Sequence, residues 1–181
     1  MRFLSVTIII ILTGIILQSC DDEKTNHYTP QKIRVGILSD GSKTESEQRF
    51  TPYLRYLEAE IGTTFELVVP DNYEQLIELF AEKKVDIAYF GAYTFWKTHL
   101  EHSAKPLMMR NVDRSFSSNI ITLKQNSFES LEDLQQKSLS FGPKLSTSGH
   151  VMPRYFLNLQ GIEAENYFSE VSHSASHNQT I

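Results

Sequence analysis

The chain has 181 residues, 40% of them apolar, and a formal net charge of −5. That charge is spread without blocks, which argues against a nucleic-acid surface, because such a surface needs a basic stripe. It does not exclude a local site where neutral dipoles hold an anion.

Arg2 precedes an apolar run from Phe3 to Leu17, interrupted only by Ser5, Thr7, Thr13 and Gly14. A basic start, a short apolar core and small residues ahead of a cut describe a secretory signal over residues 1–19. The run is short for a membrane span of ~20 residues, although an uncleaved anchor helix is the alternative. Leu17-Gln18-Ser19-Cys20 resembles the bacterial lipobox, in which the cysteine is lipidated and becomes the mature N-terminus. With Cys20 used in this way no disulfide is possible, and stability rests on core burial. Residues 20–31 are polar, end near Pro30 and read as a tether.

From Lys32 strands and helices alternate. Ile33–Leu38 is a short strand, followed by the loop Ser39–Ser42. Phe50, Tyr53, Leu54, Leu57 and Ile61 keep a helical register that Gly62 ends. Phe65–Val69 is a second strand, and Tyr73, Leu76, Ile77 and Phe80 mark a second helix. Val85–Gly91 is a third strand, Thr94–His102 a third helix and Leu107–Met109 a fourth strand. This order predicts an α/β unit with a largely parallel sheet and right-handed crossovers. Ligands of such sheets sit beyond the carboxyl ends of the strands, so the loops Leu38–Ser42, Asp71–Tyr73 and Phe90–Tyr93 are the candidate ligand-facing loops. Asp86 in the third strand reads as a partner for a nearby backbone N–H. Tyr93 lies either in the cleft or stacked on Trp96.

A second unit begins near Arg114. Ile120–Leu123 reads as a strand, Ser130–Leu134 as a helix start with Ser130 and Asp133 paired, and Ser138–Phe141 as a strand. Then comes Ser146-Thr147-Ser148-Gly149, ahead of Val151, Met152, Tyr155, Phe156 and Leu159 at helical spacing, with Gly161 as the stop. Pro153 is tolerated in a first turn, so the helix starts near Ser148-Gly149. A helix start offers unpaired N–H groups and the positive end of the dipole, and three hydroxyls there suit a tetrahedral oxyanion. The same residues also read as an ordinary Ser/Thr cap with a flexible glycine. Tyr167–Val171 is a further strand, and Ser176–Gln179 resembles a capping box. The sequence stops at Ile181, two residues beyond that box, and this reads as an interruption of the second unit.

The ordered set Val35-Gly36-Ile37, Phe50–Leu54, Tyr73, Val85–Gly91, Ser130–Leu134, Ser146–Gly149, Pro153, Gly161-Ile162 and Ser174–His177 resembles one family. It is that of the phosphate/phosphite/phosphonate-binding proteins of bacterial ABC transporters, a type II periplasmic binding-protein family. The resemblance implies two α/β lobes with mostly parallel sheets, the second interrupting the first: the N-terminal part of a first lobe over residues 32–113 and an incomplete second over 114–181. It places Ser146, Thr147 and Ser148 on the loop that grips the phosphonate oxygens, Tyr73 on a first-lobe tyrosine facing the ligand, and His177 on a histidine that contacts the anion. A tyrosine expected at the start of the second lobe is replaced by Phe116. The family's acidic contacts, which meet a positively charged aminoalkyl group, lie beyond Ile181. On local chemistry alone, Tyr73 could pack on the sheet and His177 could be an exposed first-turn residue.

These readings predict a solute-binding lipoprotein on the extracytoplasmic face of a bacterial membrane. It would deliver a phosphate, phosphite or phosphonate-type oxyanion to an ABC permease. The alternative is a sensory domain of the same fold feeding a kinase. An enzyme would need Ser148 and His177 as nucleophile and base, and no orienting acid is identifiable. No metal spacing is found among the histidines, His150 reads as solvent-facing, and no cofactor is expected.

Overall fold

The computed structural model describes residues 32–38 and 42–181. The signal, the tether, Cys20 and the loop at residues 39–41 lie outside the described residues. The architecture is α/β, with two parallel sheets.

The first sheet has the order β2-β1-β3, with β1 at Lys32–Ile37, β2 at Thr64–Val68 and β3 at Ile87–Tyr89. Both pairings are parallel: Val35 faces Leu67 on one side and Ile87 on the other. Parallel neighbours need crossovers, and α1 (Lys43–Ile61) and α2 (Tyr73–Ala81) supply them. Helix α1 opens on a complete capping box between Ser42 and Glu45, a signal the apolar pattern does not carry. It closes on Gly62 at φ +73°, a left-handed geometry that glycine adopts without strain. Val35, Ile37, Leu54 and Phe65 form the core beneath it.

Gly36 shows how closely α2 approaches β1. A Cβ there would lie 2.6 Å from Leu76 Cδ1 and 3.1 Å from Val85 Cγ1. Asp86 accepts from the Arg34 backbone N–H at 2.8 Å, as its position predicts. It also binds the Arg34 guanidinium through Nε (3.0 Å) and Nη2 (2.8 Å), and this pairing holds its carboxyl below the usual range. After β3, Gly91 leads into α3 (Ala92–His102).

The second sheet pairs β4 (Ser138–Phe141) with β5 (Glu170–His173) in parallel, Phe141 opposite His173. Between them lie a wide turn at Thr147–Val151, α4 (Met152–Leu159) and α5 (Ala164–Tyr167). Phe141, Leu157, Ala164 and Phe168 are its core.

Several local expectations are corrected. Leu107–Met109 and Ile120–Leu123 are not strands. A strand needs a neighbour to pair with, none is placed beside them among the described residues, and Met108 is 86% exposed. The Ser130 helix is a single tight turn at Glu132–Leu134. Asp133 does accept from the N–H groups of Glu129 and Ser130, both at 3.0 Å. The chain then leaves helical geometry at Gln136 (φ +62°), whose N–H bonds to Tyr167 O as β4 begins. The strand expected at Tyr167–Val171 starts three residues later, because residues 164–167 form α5. Leu157 takes the core position of α4, while Tyr155, Phe156 and Leu159 are exposed, since the two strands beneath cover only one stripe of the helix.

Leu76 is 1% exposed, so Leu76→Ala is expected to cost about 2–5 kcal/mol. Gly36→Ala should cost about 1–3 kcal/mol by overpacking against the same side chain. In urea unfolding the double variant should be destabilised by less than the sum, because the cavity left at position 76 accepts the new methyl.

Candidate functional site

The site forms where the carboxyl ends of the first sheet's strands meet the turn after β4. That turn is built from close backbone contacts. Gly142 N–H donates to Gly149 O at 2.8 Å, and a Cβ on Gly142 would lie 3.1 Å from Gly149 Cα. A Cβ on Gly149 would lie 2.9 Å from His177 Cε1 and 3.1 Å from Ser146 Oγ. A side chain at either position would have to push back the opposite glycine's backbone or the His177 ring.

The helix start predicted near Ser148-Gly149 is placed two residues earlier, with Ser146 as the cap residue. The first turn is wide: Val151 N–H bonds to Ser146 O at 3.0 Å and Met152 N–H to Thr147 O. Such turns recur at functional sites. Ser146 Oγ accepts the Gly149 N–H at 3.0 Å, as a cap should. The N–H groups of Thr147 and Ser148 precede the first ladder bond and have no backbone acceptor among the described residues. Pro153 sits in the first turn of α4, where no N–H is needed.

The hydroxyls are distributed unequally. Ser146 is only 2% exposed, and its Oγ lies 3.2 Å from His177 Nε2. The same Nε2 lies 3.3 Å from the Tyr73 hydroxyl. Tyr73 opens α2, which Asn72 caps by accepting the Gln75 N–H at 2.8 Å. Three of the five ligand positions drawn from the resemblance, Tyr73, Ser146 and His177, are thus brought together from across the chain. Thr147 Oγ1 accepts the Tyr93 N–H at 2.8 Å. Ser148 is half-buried, and its hydroxyl has no hydrogen-bond partner among the described residues.

His177 opens α6 (His177–Thr180), but the capping box expected there is not formed. Ser176 makes no side-chain cap bond, and Gln179 accepts instead from Ala175 N at 3.2 Å. Phe116 is exposed and brings no hydroxyl to the site. The Tyr93 ring stacks on Trp96, with centroids 5.9 Å apart, so its backbone and not its ring reaches the turn. Sequence reasoning missed Thr94, whose hydroxyl donates to Leu145 O at 3.1 Å. The only local signal for it was its place just past the strand-exit glycine.

Behind the turn lies a second cluster. His150 turns away from the hydroxyls and is not solvent-facing. Its Nδ1 meets Lys144 O at 2.8 Å, and its Nε2 accepts from Arg154 Nε at 3.1 Å. A carbonyl only accepts and a guanidinium only donates, so His150 carries its proton on Nδ1. Arg154 lies over the Phe141 ring and forms a two-pronged pair with Glu165, at 2.8 and 2.7 Å. That hydrogen-bonded pair brings the Glu165 carboxyl down to about 2. His173 stacks on Phe141, and burial, followed by the nearby positive charges, pushes its pKa below the ordinary value. Among the described residues no cluster of His, Cys, Asp or Glu is placed to hold a metal ion.

Two parallel α/β units meeting at a hydroxyl-bearing helix start define a protein of the periplasmic binding-protein fold. The chain belongs to the family described as "ABC transporter, phosphonate, periplasmic substrate-binding protein", whose model matches residues 35–181. That family is a substrate-binding component of transporters and not an enzyme family. "Probable ABC transporter phosphite binding protein PhnD1" of Prochlorococcus marinus (strain MIT 9301) is 26% identical over 160 residues, covering 84% of this chain and 54% of that protein. The "Phosphonates-binding periplasmic protein" of Escherichia coli (strain K12) is 26% identical over 133 residues, covering 69% and 39%. Among solved structures, PhnD1 from P. marinus in complex with methylphosphonate superposes with a TM-score of 0.66 at 23% identity, covering 84% of this chain and 59% of that one. A binding-protein component of an ABC phosphonate transporter from Pseudomonas aeruginosa superposes at 0.61 with 21% identity, covering 82% and 51%. The chain thus spans roughly half the length of these relatives or less.

The Glu165–Arg154 pair gives an acid-side signature. The Glu165 carboxyl titrates near 4.5 when unfolded and at about 2 when folded, so its contribution is full above 4.5 and fades as the pH falls to 2. Glu165→Gln should melt lower than the parent at neutral pH, and the two melting temperatures should converge as the pH approaches 2. Thermal denaturation across that range checks this, and added salt should narrow the gap because the Glu165 end of the pair is exposed.

Proposed function

We propose that the chain is the ligand-gripping part of an extracytoplasmic solute receptor. It binds a phosphite-, phosphonate- or phosphate-type oxyanion between its two α/β lobes, residues 32–113 and 114–181, and delivers it to an ABC permease. One observation carries this reading: Tyr73 from the first sheet's helices, and Ser146 and His177 from the second unit, converge beside a helix start whose Thr147 and Ser148 N–H groups have no backbone acceptor among the described residues. An oxyanion there would exchange its hydration shell for hydroxyl and backbone donors. Thr147 and Ser148 complete the set, with the Ser148 hydroxyl the readiest donor.

The relatives named above are transporter components, which favours delivery to a permease over signalling to a kinase. The proposal includes no catalysis. His177 Nε2 faces Ser146 and not Ser148, and no carboxylate among the described residues orients its ring. The Ser146 oxygen is already engaged as a cap. Phe116 in place of a tyrosine favours a small oxyanion over one that needs a further hydroxyl contact.

A hydrogen bond to a charged group is worth about 1.5–3 kcal/mol, so Thr147→Ala or Ser148→Ala should weaken affinity about tenfold or more. Calorimetry with phosphite and methylphosphonate measures it. Unchanged affinity after alanine replaces Ser146, Thr147 and Ser148 together would overturn the site.

The reading also includes a lipid anchor at Cys20. Cys20→Ala should release the protein from the membrane fraction while it is still exported. Full retention of the variant would favour an uncleaved anchor helix.

A further inference from the structure

Helix α3 begins without a cap of its own. Its cap residue is Gly91, which has no side chain to accept a first-turn N–H. The missing acceptor comes from the turn after β4: Thr147 Oγ1 takes the Tyr93 N–H at 2.8 Å. One residue on, Thr94 Oγ1 donates to Leu145 O at 3.1 Å. These two bonds fall on either side of Ser146, the residue whose hydroxyl faces His177. Consecutive residues of one helix therefore hold the ligand-gripping turn by its two shoulders.

Thr94 is 1% exposed, and its position is fixed from below, because Thr98 Oγ1 donates to Thr94 O at 2.7 Å. Valine would fill the same space. A hydroxyl at so buried a place is costly unless it is bonded, and its partner belongs to the other sheet's unit. If the two units separate, water reaches both the Thr94 hydroxyl and the Leu145 carbonyl, so the bond counts mainly in the closed arrangement.

We propose that Thr94 is a positioning residue for oxyanion binding. Its hydroxyl, together with the Tyr93 N–H, clasps the Ser146 turn against the first unit and favours the closed arrangement in which Tyr73 and the turn's hydroxyls share one ligand. The inference rests on the proposed function for its ligand but not for the clasp itself. Thr94 touches no ligand atom; it acts on the fraction of protein that is ready to bind, and apparent affinity scales with that fraction. A net hydrogen bond of ordinary strength corresponds to about a two- to tenfold change.

The test uses the intact protein with Thr94→Val and Thr94→Ser. Without ligand, hydrogen exchange at the Tyr93 amide reads the clasp, because that N–H lies in the first turn and its partner is Thr147. With methylphosphonate or phosphite, calorimetry gives affinity, and stopped-flow emission of Trp96, the one tryptophan of the chain, gives the rates. Thr94→Val should speed Tyr93 exchange and weaken affinity, each by about two- to tenfold, with the loss in faster dissociation. Thr94→Ser should restore both. Unchanged exchange and affinity in Thr94→Val would overturn the proposal, as would equal losses in Thr94→Ser, which would mark Thr94 as packing alone. If the unsubstituted protein binds neither oxyanion, the proposed function fails, and the ligand-free exchange still decides whether Thr94 clasps the turn.

Discussion

A helix that starts on glycine has first-turn N–H groups and no side chain to receive them. At α3 that need is met from elsewhere in the chain, by Thr147. Much of the site follows from this. The Ser146 turn is drawn onto the carboxyl ends of the first sheet's strands, where α/β proteins place their ligands. Once it is there, Ser146 comes within reach of His177, and His177 within reach of Tyr73. The hydroxyl turn is thus part of the seam between two units as well as a helix cap.

The turn can play both parts because its backbone is packed tightly on its own side. Gly142 and Gly149 approach too closely for side chains, and Ser146 is fixed as a cap. Behind it Arg154 joins His150, Phe141 and Glu165, coupling α4 to α5 and to β4. The hydroxyls therefore project from a braced frame, which limits the ordering that binding would require. His150, the nearest histidine in sequence, belongs to that brace.

How much of this was legible depended on the range of the signal. Strands β1 and β4 were readable because apolar β-branched and aromatic runs carry their own period. The end of α1 was readable from Gly62, and Asp86 from its place at the edge of the third apolar run, just ahead of β3. The runs at Leu107–Met109 and Ile120–Leu123 misled, because apolar content alone does not supply a neighbouring strand. The Ser146 turn was visible as a cap chemistry and the Asp71–Tyr73 loop from sheet topology, but the role of the Tyr73 ring and the choice of His177 entered only through the family resemblance. Their meeting spans 104 residues of sequence, and the bonds of Tyr93 and Thr94 to the turn span 54 and 51. No periodicity reaches that far. Thr94 in particular resembles any buried helical threonine until its partner in the other unit is known.

The chain order of the two sheets bears on how the protein comes together as it is made. The three described strands of the first sheet lie between Lys32 and Tyr89, and α3 ends at His102. A chain emerging from its N-terminus exposes β1, β2 and β3 before the turn at Ser146 exists. During that interval the Tyr93 N–H has only water to bond, because Thr147 has not yet emerged. The second unit, arriving later, brings Thr147 and Leu145 to α3, so the seam that makes the site closes only after both of its sides have emerged.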